Sequence, residues 1–155
     1  MPCTKKLNVD TTKPVLVTGG TGYVAGNIIK QLLDLGLTVH TTVRDPSKTD
    51  RFQYLVDAAD NTKGSIKFFA GDLLQPGSFD EAAAGCTHIF HTASPFIVDV
   101  KDPQKDLIEP AVHGTENVLN AANKTSTVKV VVVTSSCAAI YNHAADLEDV
   151  PGKVC

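Results

Sequence analysis

Apolar residues along this chain fall into two alternating rhythms. Short β-branched runs stand at Pro14 to Thr18, Leu37 to Val43, Ile66 to Ala70, Thr87 to His91 and Val128 to Thr134. Between them, apolar residues return every three or four positions. The runs read as strands, and near-continuous ones such as VKVVVV read as strands covered on both faces, which is how parallel sheets are written. The intervening segments read as helices laid on that sheet. The first carries Ile28, Ile29, Leu32, Leu33 and Leu35 as its stripe and stops at Gly36. The longest, from about Gln104 to Lys124, is expected to bury Ile108, Ala111, Val112, Thr115, Val118, Leu119 and Ala122, with Pro110 delaying its start or kinking it. Strand and helix in strict alternation, with right-handed crossovers, predict an α/β fold with a doubly wound parallel sheet.

The first crossover sharpens this picture. VLVTGGTGYVAGNIIKQLLDLG places Gly19 and Gly22 three apart, Ala25 in the third slot of the motif and Gly26 beside it, between a strand and a helix. Small residues at such points let backbone approach a diphosphate, and the helix N-terminus offers amides and a positive dipole end. The alternative is a tight turn that only packs helix on strand. At the first crossover of an alternating pattern, the motif favours a dinucleotide and makes the sheet Rossmann-type. Thr18, Gly19, Gly22, Tyr23 and Val24 are the residues of this turn expected to meet the cofactor.

Composition adds limits. With 155 residues, 43% hydrophobic and 20% charged, the chain can bury one core. Residues 1–13 read as a tail and 14–155 as one nucleotide-binding domain. A formal charge of −3 gives no general attraction to nucleic acid or anionic lipid, so neither is an expected partner. The opening MPCTKKLNVD has no apolar stretch, and no window is long enough to cross a bilayer, so a cytoplasmic protein is expected. Cys3, Cys86, Cys137 and Cys155 lack metal or redox spacing and read as free thiols. No metal site is expected.

Positive charge does gather in one place. Where NAD sites usually carry an acidic residue, about 20 residues past the glycines, this chain has Arg44 at the tip of LTVHTTVRDPSKTDR, followed by Lys48 and Arg51. Guanidinium and ammonium groups suit a 2′-phosphate, which a carboxylate would repel, so NADP(H) is the expected cofactor. The competing reading is a solvated basic face, with Asp45 before Pro46 acting only as a helix cap.

VLVTGGTGYVAG, TVRDP, FFAGDLLQPGSFDEAAAGCTHIFHTASPF, DLIEPAVHGTENVLNAA and VVVVTSSCAAIY together resemble the extended short-chain dehydrogenase/reductases of the NAD-dependent epimerase/dehydratase superfamily. The branch they most resemble contains dihydroflavonol reductase, cinnamoyl-CoA reductase and the yeast-type methylglyoxal or ketone reductases. The resemblance runs from about Val15 to Tyr141. It implies that Asp72 and Leu73 meet the adenine, although Asp72 also reads as a turn residue capping the next helix. It implies further that Thr92, Ala93, Ser94 and Thr134 line the cofactor, and that Pro95 and Phe96 begin a substrate wall, although Phe96 also reads as ordinary loop packing. His88 and His91 read as satisfied core or edge residues rather than ligands. AVHGT, with Ala111 and His113, replaces the family's NVNGT and leaves an asparagine-mediated water relay without its residue.

In the family the second serine of TSS, here Ser136, hydrogen-bonds the substrate carbonyl, and a tyrosine with a lysine four residues on delivers the proton. Four residues after Tyr23, Tyr54 and Tyr141 stand Asn27, Ala58 and Ala145. The sequence therefore resembles the N-terminal half of such a reductase, a sheet truncated after its fifth strand. The expected function is the cofactor-binding part of an NADPH-dependent carbonyl reductase, inactive by itself; a non-catalytic nucleotide-binding module and part of a sugar-nucleotide epimerase or dehydratase are the alternatives. The valine strand would then form an exposed sheet edge through which chains associate.

Overall fold

The structure, a computed structural model, describes residues 10–95 and 100–139. Its frame is a parallel sheet of β1 (Val15–Thr18), β2 (Thr38–Val43), β3 (Ser65–Ala70), β4 (His88–His91) and β5 (Val130–Val133), in the order β3-β2-β1-β4-β5. All the expected strands form, to within two residues at either end. Helices α1 (Tyr23–Asp34), α2 (Gln53–Asp60), α3 (Asp80–Ala83) and α4 (Glu109–Lys124) make the crossovers.

The continuous apolar runs follow from covering the sheet twice. Along β1, Val15 and Val17 enter one core with Ile29 and Leu33 of α1 and Leu55 of α2. Leu16 points the other way, into a second core with Phe79, Ala82, Ile89, Val118 and Ala121. Side chains alternate across a strand, so a strand sandwiched between two helical layers must be apolar at every position.

Three expectations are corrected. Leu35 lies beyond the last residue of α1 and is exposed. The valine run is not covered on both faces: Val130, Val132 and Val133 are exposed and form the sheet edge expected of this strand, while Val131 packs against the second core. The largest change is around α4, where Ile108, just ahead of the helix, and Ala111, Val112 and Leu119 within it face solvent; the buried face is Pro110, Gly114, Asn117, Val118, Ala121 and Ala122. Close approach decides this. A Cβ on Gly114 would stand 2.7 Å from Leu73 Cδ2, so α4 docks through its small residues. Asn117 Nδ2 donates to Gln75 O at 2.5 Å, and Gly77 N–H donates to Asn117 Oδ1 at 2.9 Å, which binds the same face to the loop after β3. Pro110 lies in the first turn of α4, preceded by a π-helical turn over Gln104–Ile108, a widening that suits a residue without an N–H.

Strand register brings the chain's chemical groups to one side of the sheet. Thr18 pairs with His91, His91 with Val133, and Val43 with Ala70, so the parallel strands end together along one edge. In open α/β sheets ligands bind along that edge.

Candidate functional site

At that edge β1 gives way to the glycine turn. Gly19 has φ +74°, a left-handed conformation that side-chained residues adopt at a cost. Its N–H donates to Thr42 Oγ1 at 3.2 Å, and Gly20 N–H donates to Thr42 O at 2.8 Å, so the turn is tied to the end of β2. Gly22 N–H closes the turn onto Gly19 O at 2.9 Å. Gly22 is then the N-cap of α1, with no side-chain cap, and Tyr23 and Val24 open the helix exposed. A positive-φ glycine followed by an uncapped helix start is a backbone cradle suited to a diphosphate. Ala25 and Gly26 divide the packing work: Ala25 enters the core, whereas a Cβ on Gly26 would meet the Tyr54 hydroxyl at 2.9 Å.

Beside the turn, the ends of the other strands supply the remaining residues. Arg44 follows β2 directly and is exposed, as is Arg51 in the short 3₁₀ turn Thr49–Arg51. Lys48 Nζ lies 3.3 Å from Asp45 Oδ2. The Asp45 carboxylate also accepts from Ser47 N–H at 3.0 Å and Ser47 Oγ–H at 2.6 Å, bonds that hold its pKa below the usual carboxylate value. Asp45 thus shapes a local turn ahead of α2, and no helix begins at Pro46. After β3, Asp72 Oδ1 accepts from Leu74 N–H at 2.8 Å, again a turn rather than the start of a helix. Leu73 leans on Gly114 and the second core.

Strand β4 hands its exit to Thr18. Thr92 N–H and Ala93 N–H donate to Thr18 Oγ1 at 3.2 and 3.1 Å, and Thr92 Oγ1 donates to Thr18 O. Thr18 Oγ1 and His91 Nδ1 are 2.9 Å apart in the buried interior, where burial pushes the His91 pKa down. Ser94 is exposed and Pro95 half-buried; Phe96 lies outside the described residues. Beyond β5, Thr134 N–H donates to His91 O at 3.0 Å, and Thr134, Ser135 and Ser136 are exposed at the same edge. Ser136 O receives Ala139 N–H in a short turn. Tyr141 lies outside the described residues.

Thr18, Gly19, Arg44, Asp72, Thr92, Ala93 and Thr134 therefore stand at or just past the ends of the five parallel strands, whereas Tyr23 and Val24 open α1 and Lys48 and Arg51 lie further along the segment between β2 and α2. Sequence reasoning missed Thr42 and Tyr54, whose hydroxyl donates to Gly20 O at 3.5 Å. The signal for the first was present: a threonine pair at the tip of a buried strand. A groove of about 650 Å³ lies on the flank between α1 and α2, lined by Lys30, Tyr54, Asp57 and Asn61 among others; it shares Tyr23 with the turn but not the strand edge. Among the described residues, no group of three or more His, Cys, Asp or Glu side chains is arranged to hold a metal. No helix there is long and apolar enough to cross a membrane.

Residues 16–150 match the model of the 3-beta hydroxysteroid dehydrogenase/isomerase family. The chain is 47% identical over 137 residues to a cinnamoyl-CoA reductase of Medicago truncatula, an alignment covering 88% of this chain and 42% of that one. Among solved structures it is similar to vestitone reductase of alfalfa, at TM-score 0.65 and 36% identity, covering 82% of this chain and 37% of that one. It is likewise similar to the yeast methylglyoxal/isovaleraldehyde reductase complexed with NADPH, at TM-score 0.68 and 32% identity, covering 81% and 38%. The chain spans about two fifths of the length of these relatives.

Proposed function

The chain belongs to the 3-beta hydroxysteroid dehydrogenase/isomerase family, among the extended short-chain dehydrogenase/reductases, and from that premise we propose that residues 14–155 are the NADP(H)-binding part of a reductase of small carbonyl compounds. One observation carries the reading. The Gly19 turn, the uncapped start of α1 and the exposed Arg44 lie along one edge of the sheet, a diphosphate cradle beside a guanidinium. Gly19, Gly22, Tyr23 and Val24 would hold the diphosphate, with Thr92, Ala93, Ser94 and Thr134 along the opposite wall; Thr18, expected to meet the cofactor, is buried with its hydroxyl bonded within the chain and supports the turn from behind. Arg44 and Arg51, with Lys48 shared between phosphate and Asp45, would select the 2′-phosphate. Asp72 and Leu73 would border the adenine.

The bound cofactor supplies hydride. Ser136 would donate to the carbonyl oxygen on which charge develops, and serine alone is too weak an acid to complete the reduction. The resemblance gives the proton to a tyrosine with lysine four residues on, a pair that none of Tyr23, Tyr54 and Tyr141 forms. This chain alone would therefore bind the cofactor without turnover.

Calorimetric titration with NADPH and NADH tests the first part. Binding should favour NADPH, and Arg44→Ala should weaken it about 10- to 100-fold, the worth of a charge-assisted bond, with NADH unaffected. Equal affinities would remove the phosphate argument. NADPH oxidation by this chain with aldehydes would overturn the second part.

A further inference from the structure

Thr18 Oγ1 has more neighbours than a hydroxyl can serve in any arbitrary arrangement. It carries one hydrogen and two lone pairs. The amides of Thr92 and Ala93 can only donate, and both point at it, at 3.2 and 3.1 Å. They occupy the lone pairs. The remaining neighbour, His91 Nδ1 at 2.9 Å, must then accept the hydroxyl hydrogen, which fixes His91 as the neutral ring protonated at Nε2. With the proton on Nδ1 instead, three donors would crowd two lone pairs. Burial of His91, which disfavours its charged form, agrees.

We propose that His91 is a positioning residue for the dinucleotide cleft: by accepting from Thr18 Oγ1, it turns that hydroxyl to receive Thr92 and Ala93 and locks the β4 exit against the glycine turn. The cleft part of this rests on the NADP(H) reading above. The lock has little slack, since a Cβ on Gly19 would stand 3.0 Å from Ala93 Cα. Loosening the β4 exit moves the wall that faces the turn. The same residue reaches the third wall through its backbone, because His91 O receives Thr134 N–H at the head of the TSS segment. One histidine thus joins the ends of β1, β4 and β5.

The ¹⁵N spectrum of the wild-type His91 ring decides the orientation directly and needs no variant. A proton on Nε2 with Nδ1 bare is expected; a proton on Nδ1 would overturn the proposal. His91→Leu removes the acceptor, whereas His91→Asn keeps an acceptor near the Nδ1 position. Amide exchange at Thr92 and Ala93 should accelerate in the first and stay near wild type in the second. The NADPH Kd should rise about tenfold in His91→Leu and less than about threefold in His91→Asn. Thr18→Val, which also removes the acceptor of both amides, should lose at least as much as His91→Leu, and the double variant should be no worse than Thr18→Val alone, as expected of residues acting as one unit. Unchanged exchange and affinity in His91→Leu would overturn the proposal. If the wild-type chain takes up no NADPH, the cofactor reading fails and the cleft role with it, while ring protonation and amide exchange still decide whether the lock exists.

Discussion

Gly19→Ala separates two penalties that usually arrive together. At φ +74°, an alanine adopts a left-handed conformation costing about 1–2 kcal/mol. Its methyl would also stand 3.0 Å from Ala93 Cα, 3.1 Å from Ala93 Cβ and 3.3 Å from Ala93 N, inside the ordinary contact distance of about 3.5–4.0 Å. The obstacle is backbone that Thr18 holds in place, so relief requires shifting the β4 exit, at the roughly 1–3 kcal/mol typical of overpacking. Gly85, in the turn between α3 and β4, is the matched control: its φ is +75°, and an added Cβ would meet nothing within 4 Å. Gly85→Ala should lose about 1–2 kcal/mol and Gly19→Ala about 2–5 kcal/mol, measured by urea unfolding followed by far-ultraviolet circular dichroism. The excess should appear as a further drop in Tm of about 2–12 °C. Equal losses would refute the claim that the turn and the β4 exit are in contact.

Burial lowers the pKa of His40 and His91, so an unfolded chain binds more protons than the folded one as pH falls below the ordinary value of 6.5. Stability should be fully present above pH 6.5 and decline toward the lower folded values; a urea midpoint unchanged between pH 7.5 and 5.5 would contradict buried neutral rings. Cys137 is exposed and should alkylate in the native state, whereas Cys86, buried with its pKa pushed up to about 12, should react only on unfolding, as peptide mass spectrometry can tell. The exposed valines of β5 should make the chain self-associate with rising concentration, and Val132→Lys should suppress this in light scattering; identical behaviour of the two proteins would acquit the strand.

The strands, their parallel direction and the glycine turn were legible in the sequence because each is written locally. A strand covered on both faces needs an unbroken apolar run, and a left-handed turn before a helix needs glycine. Arg44 was legible for the same reason, as the residue that ends the second run. The buried face of α4 was not. Counting apolar residues favours Ile108, Val112 and Leu119, but the helix packs through Gly114, Asn117 and Ala121, since contact with Leu73 and the loop at Gln75–Gly77 rewards small size and a paired amide over hydrophobicity. Nor could sequence join Thr18 to His91, 73 residues apart, or give that hydroxyl its direction. Local pattern states what each segment can become. Which atoms meet at the edge of the sheet depends on register between distant strands, and only the folded chain sets it.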